Sequence, residues 1–424
     1  MKYYLVGIKG TGMASLARIL KDNGHEIVGC DSDEYFFTQD LLDEYNIKYE
    51  LFDDFSYKKD FYYIIGNYYK ENEKFQFLFK KKHAKSYINF LSDYIKNKYS
   101  IAICGTHGKT TTVGLFYDTF KNIFDLEMFR GDGIGIGGNK ESIVFEACEY
   151  KNNFLNLSPK ECILTNIDFD HTDFFKNQKA YINSFQKFLS KANKIYIPYE
   201  DYKKVKHENI ITYGTSKKAD YYLKDVKHDN EIIEGKLFHK KEYIGKLTLP
   251  FCGFFNFIHA LSIVAYGMEH NIKFELLNEN LTKFTGVNRR INTKIINGDI
   301  YIDDYAHHPN EIKATLKFIK EKYPSLKLTV FFKPDRFSRL LFYKHEFRNA
   351  LNLANNIYVL PLYERVNKNT SSLLLLNKKF KYLDDLNILT KDCFTIERQV
   401  FIFLSSKNMK DVMKRVEEIR SWWC

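Results

Sequence analysis

The pattern of apolar and polar positions starts a cycle of strand, turn and amphipathic helix three times along the chain. Apolar runs predict strands at residues 3–8, 100–104 and 299–304, and a turn and a helix follow each of them. This alternation is typical of α/β layers with largely parallel sheets. We predict three α/β domains, which comprise residues 1–98, 99–292 and 293–424.

Composition narrows the class of protein. Of the 424 residues, 45% are hydrophobic and 28% are charged, which excludes a disordered or fibrous chain. No apolar run reaches the roughly 18 residues of a membrane span, and Lys9 and Arg18 interrupt the apolar start of the chain. We therefore expect a cytoplasmic protein without a membrane partner.

Charge and cysteine content argue against a basic nucleic-acid-binding arm and against a zinc ribbon. The net charge is +11, but the lysines are spread over a chain with 31 Tyr and 37 Phe, so a basic binding arm is not expected. A non-catalytic nucleotide-binding or nucleic-acid-binding protein is kept as an alternative. The seven cysteines form no C-x-x-C pair, which indicates reduced thiols rather than disulfides or a zinc ribbon.

A phosphate-binding loop is the strongest local motif. Residues 105–112 read GTHGKTTT between an apolar strand and a helix. Two glycines allow a tight bend, and successive N–H groups at a helix N-terminus attract phosphate. Lys109 supplies a charge for the β and γ phosphates, and Thr110 or Thr111 offers a hydroxyl to magnesium. The spacing G-x-x-G-K-T is shorter than in the common phosphate loop.

A second glycine-rich turn follows the first predicted strand. Gly7, Gly10 and Gly12 lie in GIKGTGM, and Asp31 closes the next strand, where dinucleotide folds place a ribose-binding acid. The third glycine of the dinucleotide pattern is replaced by Ser15. The segment indicates a phosphate-bearing ligand, either a dinucleotide or a nucleotide sugar.

Acids and a histidine follow two further predicted strands, at residues 143–147 and 162–166. Ligands of an α/β sheet bind outside the carboxyl ends of its strands, so these groups should lie near the phosphate loop. The candidates are Glu146, Glu149, Asn166, Asp168, Asp170 and His171. We predict that Glu149 and His171 bind metal.

Titratable groups also cluster where the third domain begins. DDYAHHP, residues 303–309, passes from a strand to a helix, and His308 can serve as the cap of that helix at Pro309. FFKPDRFSR, residues 331–339, follows another strand, and its arginines suit a carboxylate or phosphate.

Taken in this order, the motifs resemble those of the alanine-adding branch of the Mur ligase family, and the resemblance extends over nearly the whole chain. The resemblance rests on GIKGTGMASLA, GTHGKTTT, FEACEYKNNFLNLSP, TNIDFDHTDFF, FTGVNRRI and DDYAHHPNEI. It implies a Rossmann-like N-terminal domain for a UDP-sugar, a central P-loop ATPase-type domain, and a Rossmann-like C-terminal domain for an amino acid.

The resemblance also implies an activity. The expected enzyme joins L-alanine to the carboxylate of UDP-N-acetylmuramate through an acyl phosphate, in peptidoglycan precursor synthesis. It uses ATP and Mg²⁺, has no nucleic-acid partner, and works as a monomer or homodimer.

Site residues follow from the resemblance by position. The ATP site would comprise Gly105, Thr106, His107, Gly108, Lys109, Thr110, Thr111, Asn256, Arg290 and Asp304. The metal would be held by Thr110, Glu149 and His171. The UDP-sugar would lie near Gly7, Gly10, Gly12 and Asp31. The catalytic residues would be Lys109, His307 and Arg339.

Several positions depart from the family's pattern. Asp335 occupies a position where the family usually has a histidine, and Lys333 one where it has a glutamine. Phe255 and His259 replace a histidine and an asparagine. Ser405 and Ser406 replace small turn residues. These departures leave open a sister ligase or paralogue that adds a different amino acid or a recycled peptide.

Overall fold

Three β-sheets flanked by helices form the molecule, and each sheet uses one continuous part of the chain. The computed structural model describes residues 1–81, 83–228, 232–250, 253–286, 291–362 and 379–422. The predicted α/β fold is confirmed.

The first sheet is parallel throughout and has the strand order β3-β2-β1-β4-β5. Its strands are β1 (Lys2–Val6), β2 (Glu26–Asp31), β3 (Lys48–Leu51), β4 (Tyr62–Ile65) and β5 (Ala84–Ser86). Its helices are α1 (Thr11–Asp22), α2 (Thr38–Glu44), α3 (Glu73–Phe79) and α4 (Tyr87–Lys96), with a 3₁₀ turn at Phe52–Asp54. The strand predicted at 3–8 ends earlier because Gly7 takes a φ of +80°.

The second sheet has ten strands in the order β15-β14-β13-β12-β11-β10-β6-β9-β7-β8. They are β6 (Tyr99–Cys104), β7 (Leu126–Phe129), β8 (Gly135–Ile136), β9 (Ser142–Glu146), β10 (Glu161–Leu164), β11 (Lys194–Pro198), β12 (Ile210–Gly214), β13 (Tyr221–His228), β14 (Ile232–His239) and β15 (Glu242–Pro250). The helices are α5 (Lys109–Phe120), α6 (Gln178–Leu189), α7 (Phe254–Glu269) and α8 (Phe274–Thr282), with 3₁₀ segments at Tyr150–Asn156 and Tyr202–Lys204. The central strands are parallel, so the loops after β6, β9 and β10 meet at one edge.

The third sheet has the order β16-β17-β21-β18-β19-β20. Strand β16 pairs with β17 in antiparallel fashion, and the other described pairs are parallel. Its strands are β16 (Asn292–Ile296), β17 (Asp299–Asp304), β18 (Lys327–Phe332), β19 (Asn356–Val359), β20 (Phe380–Tyr382) and β21 (Gln399–Leu404). The helices are α9 (Pro309–Lys322), α10 (Phe337–Phe342), α11 (Lys344–Leu351) and α12 (Lys410–Ser421), with 3₁₀ turns at Leu386–Ile388 and Lys391–Cys393. None of the helices described above has the length and apolar character needed to cross a membrane.

Helix α1 attaches the first domain to the second. Gly135 lies so close to this helix that a Cβ there would be 2.1 Å from the Ser15 carbonyl oxygen. The Ser15 hydroxyl donates to the Arg130 carbonyl at 2.5 Å, and Asn23 Oδ1 accepts from Gly138 N at 2.6 Å. Ser15, which breaks the dinucleotide pattern, therefore holds two domains together.

Candidate active site

The first four residues of the phosphate loop, residues 105–108, join β6 to α5. Gly105 and Gly108 have φ values of +135° and +79°, which side-chain-bearing residues rarely adopt. A Cβ at Gly105 would also lie 2.1 Å from Thr165 Oγ1, so both glycines are required by the bend. The predicted loop conformation is thus built into this position of the chain.

Lys109 begins α5, and its side chain, which is 11% exposed, turns back under the loop. Its Nζ donates to the carbonyl oxygens of Gly105 and Thr106 at 2.5 and 2.9 Å and lies 3.0 Å from Glu149 Oε2. Burial opposes the ammonium charge, but the carboxylate of Glu149 outweighs it and raises the pKa of Lys109. The lysine therefore carries its charge at the floor of the loop.

Glu149 connects Lys109 to the histidine predicted as a metal ligand. It is only 1% exposed, and its Oε1 lies 3.2 Å from His171 Nε2. Burial disfavours the carboxylate, yet Lys109 and His171 together lower the pKa of Glu149. The tyrosine ring of Tyr150 lies 4.6 Å from the imidazole of His171 and covers it.

A second carboxylate reaches the predicted magnesium hydroxyl. Thr110 Oγ1 donates to Glu146 Oε2 at 2.8 Å, and the same oxygen accepts from Gly131 N at 3.0 Å. Within the described ranges no three His, Cys, Asp or Glu side chains form a preformed metal cluster. Magnesium usually takes one or two protein oxygens together with phosphate and water, and the donor set of Thr110 and Glu149 fits that chemistry.

The start of α9 carries the two adjacent histidines of the third domain. His308 caps the helix: its Nδ1 accepts from Asn310 N at 3.3 Å, and Glu311 Oε2 accepts from His307 N and His308 N at 3.2 Å. The His307 Nδ1 lies 2.9 Å from the Tyr305 carbonyl. Because a carbonyl only accepts, Nδ1 carries the proton and Nε2 is left as a base.

Burial, helped by the nearby charge of Arg339, lowers the pKa of His307. The imidazole is therefore neutral near pH 7 and able to accept a proton.

Asp304 is buried in the fold rather than at the cleft surface. Its Oδ2 accepts from Ile291 N at 2.8 Å, and its Oδ1 accepts from Ala306 N at 2.8 Å and from Thr315 Oγ1 at 3.3 Å. The carboxylate shapes the turn that leads to His307.

Arg339 fastens the third domain to the second. Its Nε and Nη2 each donate to a different oxygen of Asp170 at 3.0 Å, and its Nη1 donates to Asp335 at 3.1 Å. Both ends of the Asp170 pair are buried, at 5% and 4% side-chain exposure. The paired guanidinium lowers the pKa of Asp170 against the effect of burial.

Arg336 spans the same two domains in a more exposed place. Its Nη1 lies 3.3 Å from both carboxylate oxygens of Asp173, and its guanidinium stacks 4.3 Å from the Tyr150 ring centre. The Arg336 side chain is 29% exposed, against 4% for Arg339, so this cation lies nearer to solvent.

A cleft of about 550 Å³ joins these groups and is lined by all three domains. Among the predicted residues it is lined by Thr106, His107, Gly108, Lys109, Thr110, Glu146, Glu149, Asp170, His171, His307 and Arg339. The predicted residues Gly7, Gly10, Gly12, Asp31, Gly105, Thr111, Asn256 and Asp304 do not line it. Arg290 lies outside the described residues.

The glycine turn, residues 7–12, lies against two tyrosines that the sequence did not single out. A Cβ at Gly7 would be 2.5 Å from the Tyr69 ring, and one at Gly12 would be 2.5 Å from the Tyr87 hydroxyl. Buried Asp31 holds the turn, because its Oδ2 accepts from Lys9 N at 2.7 Å.

Two of the family departures lie on one face of α7. The His259 imidazole packs on the phosphate loop, since a Cβ at Gly108 would be 2.2 Å from its Nε2. Phe255, one turn earlier, is 61% exposed, and Asn256 beside it is half-buried.

Of the remaining departures from the family's pattern, some line the cleft and others support the fold behind it. Asp335 lines the cleft beside His307 and Arg339, whereas Lys333 does not. Ser405 ties the end of β21 to β18, as its hydroxyl donates to the Lys333 carbonyl at 3.1 Å and accepts from Lys407 N at 3.0 Å. Only Asp335 changes the charge of the cleft.

Glu311 and Asp173 are site residues that sequence reasoning did not identify. Glu311 stands three positions after His308, the spacing of a capping box, which is a signal that could have found it. Asp173 has no such local signal, because its partner Arg336 is distant in the chain.

The burial of His308 predicts a pH-dependent stability. Burial and the adjacent imidazole of His107 lower the pKa of His308 to about 3. Below pH 6.5 the unfolded chain binds a proton there that the folded chain does not, so acid lowers the free energy of unfolding. We expect a loss through His308 of up to about 1.4 kcal/mol per pH unit between pH 6.5 and about 4.

Denaturant unfolding at four pH values checks this expectation. The variant His308→Asn keeps a capping side chain and should have a shallower slope than the wild type. The exposed His228→Asn is the control and should keep the wild-type slope. Equal slopes for all three proteins would contradict the assignment.

Comparisons with known proteins agree with this architecture. The family model described as Mur ligase family, catalytic domain, matches residues 2–99, and the Mur ligase middle domain matches residues 103–267. The UDP-N-acetylmuramate–L-alanine ligase of Streptococcus pyogenes serotype M2 (strain MGAS10270) is 36% identical over 369 residues, which cover 85% of this chain and 83% of that protein.

Two solved structures share this fold over the whole or nearly the whole length of the chain. The UDP-N-acetylmuramate-alanine ligase MurC of Thermotoga maritima superposes with a TM-score of 0.83 at 25% identity and covers 100% of both chains. A murein peptide ligase of Psychrobacter arcticus has a TM-score of 0.72 at 19% identity over 99% of this chain and 98% of its own, a likeness of fold.

Proposed function

This chain belongs to the Mur ligase family, and we propose that it joins L-alanine to the carboxylate of UDP-N-acetylmuramate, using ATP, in peptidoglycan precursor synthesis. One observation carries the proposal: Lys109 and Glu149 beneath the phosphate loop open into the same cleft as His307 of the third domain. A triphosphate and an amine can thus meet in one place.

The first step activates the carboxylate. The phosphate loop holds ATP, and a muramate carboxylate oxygen attacks the γ-phosphorus in line. The bond to the β,γ-bridging oxygen breaks, ADP departs and an acyl phosphate forms. Lys109 turns from Glu149 towards the transferred phosphoryl group and stabilises its charge.

The second step forms the amide. The amine lone pair of alanine attacks the acyl carbon, and phosphate leaves with the electrons of the C–O bond. The proton lost by the amine goes to His307 Nε2, which is unprotonated because Nδ1 donates to Tyr305. Arg336 is placed to hold the amino-acid carboxylate. For Arg339, expected to be catalytic from the resemblance, we propose a positioning role: its pairing with Asp170 would keep the third domain closed over the intermediate.

Thr110, Glu149 and His171 would hold Mg²⁺, which supplies positive charge to the β and γ phosphates when bound. The adenine would lie near Asn256 on α7, whose His259 touches the phosphate loop. Thr111 and Asp304 would act by shaping the loop and the His307 turn, since both are buried.

The UDP-sugar would bind at the glycine turn, near Gly7, Gly10, Gly12 and Asp31. There Asp31 would act through the backbone, because its carboxylate holds Lys9 N at the base of α1. A helix N-terminus at this turn suits a diphosphate.

We further propose that the protein works in the cytoplasm as a monomer or homodimer. Its domain limits would be 1–98, 99–292 and 293–424, and it would have no nucleic-acid or membrane partner.

Phosphate release tests the reaction. Purified protein with MgATP and UDP-N-acetylmuramate should release phosphate only after L-alanine is added, with stoichiometric amide product by mass spectrometry. Absence of alanine-dependent release at any protein concentration would overturn the proposal.

Asp335 in the cleft favours a second candidate, a sister ligase that adds another amine. In the same assay, glycine, L-serine, basic amino acids and a murein tripeptide compete with alanine. A higher kcat/KM for one of these than for alanine would select the second candidate.

A further inference from the structure

His107, the third residue of the phosphate loop, contacts the third domain through its side chain. The imidazole is 13% exposed, and its Nδ1 lies 3.5 Å from Glu311 Oε1. Its ring centre lies 4.5 Å from that of His308. A loop residue of the second domain thus packs on the first turn of α9.

The backbone of His107 is already secured without this side chain. Its N–H donates to Asn166 Oδ1 at 3.1 Å, and its carbonyl accepts from Thr165 Oγ1 at 2.6 Å and Asn166 Nδ2 at 3.0 Å. The loop therefore keeps its shape through Thr165 and Asn166. The imidazole serves the contact between domains.

Glu311 gives this contact a direct path to the proposed base. While its Oε1 faces His107, its Oε2 accepts from the backbone N–H groups of His307 and His308 at 3.2 Å. A shift of the carboxylate would shift the backbone that carries the His307 imidazole. Lys109 lies two residues after His107. The same short segment therefore carries the lysine proposed to bind the transferred phosphate and the imidazole that contacts the His307 turn through Glu311.

We infer that His107 is a positioning residue that, through Glu311, sets the distance between the phosphate held by Lys109 and the His307 imidazole. This inference rests on the proposed function. The contact fixes where the amine is deprotonated relative to the acyl phosphate. It acts through the imidazole, whereas the shape of the loop is held by Thr165 and Asn166.

Separate half-reactions test the inference. With UDP-N-acetylmuramate and no alanine, the first half-reaction is followed by positional isotope exchange in ATP labelled at the β,γ bridge. We expect His107→Asn and Glu311→Gln to lower alanine-dependent turnover by about 10- to 100-fold more than they lower this exchange, because the lost contact acts on the His307 end of the site.

A double-mutant cycle and a control exclude a merely structural effect. His107→Asn combined with Glu311→Gln should be no slower than the slower single variant, because one contact is lost only once. Glu321→Gln changes a separate contact between α9 and the second domain, in which Glu321 Oε2 lies 3.6 Å from His228 Nε2, and any loss there should fall equally on both half-reactions.

The outcomes are distinct. Equal loss in both half-reactions for His107→Asn, or additive effects in the cycle, would overturn the inference. If the wild type exchanges label but gives no alanine-dependent turnover, the proposed amine is wrong. If it does not exchange label, the proposed reaction is wrong.

Discussion

Replacing Lys109 by methionine should lower alanine-dependent turnover by about 10²- to 10³-fold or more, since the variant loses the cation that meets the transferred phosphoryl group. Methionine retains much of the apolar stem. Glu149 keeps its other side-chain partner, His171 Nε2 at 3.2 Å, so the variant should remain folded. Phosphate release under saturating ATP, UDP-N-acetylmuramate and alanine measures the effect.

Lys121 provides the matched control for that substitution. It caps the same helix, α5, but lies in solvent and pairs with Asp118 at 2.8 Å. Lys121→Met should leave turnover within about twofold, since exposed pairs contribute about 0–1 kcal/mol. If Lys109→Met and Lys121→Met had the same turnover, Lys109 would have no part in phosphoryl transfer.

Breaking the buried pair of Asp170 and Arg339 should cost about 3–5 kcal/mol in the stability of the docked third domain, because one buried charge loses its partner. Asp170→Asn and Arg339→Met both remove the pair, which now forms two bonds of 3.0 Å. Denaturant unfolding resolved by domain, with limited proteolysis as a second readout, measures the loss.

The pair also allows a sharper test. Replacing both residues by apolar ones, Asp170→Leu with Arg339→Met, should recover at least half of the lost stability, because no charge is left buried. The exposed pair of Lys410 and Asp40, at 3.2 Å, is the control, and Lys410→Ala should cost about 1 kcal/mol or less. If Asp170→Asn lost as little stability as Lys410→Ala, the role given to the buried pair would be contradicted.

Several elements could be predicted because their causes are local. The strand before Gly105 and the helix from Lys109 follow from apolar periodicity and from a bend that only glycine allows. The cap at His308 and the helix start at Pro309 follow from the same local steric rules, and both are confirmed.

The ends of strands were less predictable, because tertiary contacts decide them. The strand predicted at 162–166 stops at Leu164, since Thr165 and Asn166 turn their polar groups towards the phosphate loop. No periodicity in the segment itself carries that information.

The sequence by itself determined the order of the α/β units, the phosphate loop and the histidine-capped helix, because sterics and hydrogen bonds within a few residues dictate them. Only the tertiary structure decided which charges meet. Arg339 finds Asp170 across 169 residues, and Asp335 reaches the cleft while Lys333 does not. Such pairs depend on how whole domains dock, and docking is set by the fit of surfaces far apart in the chain.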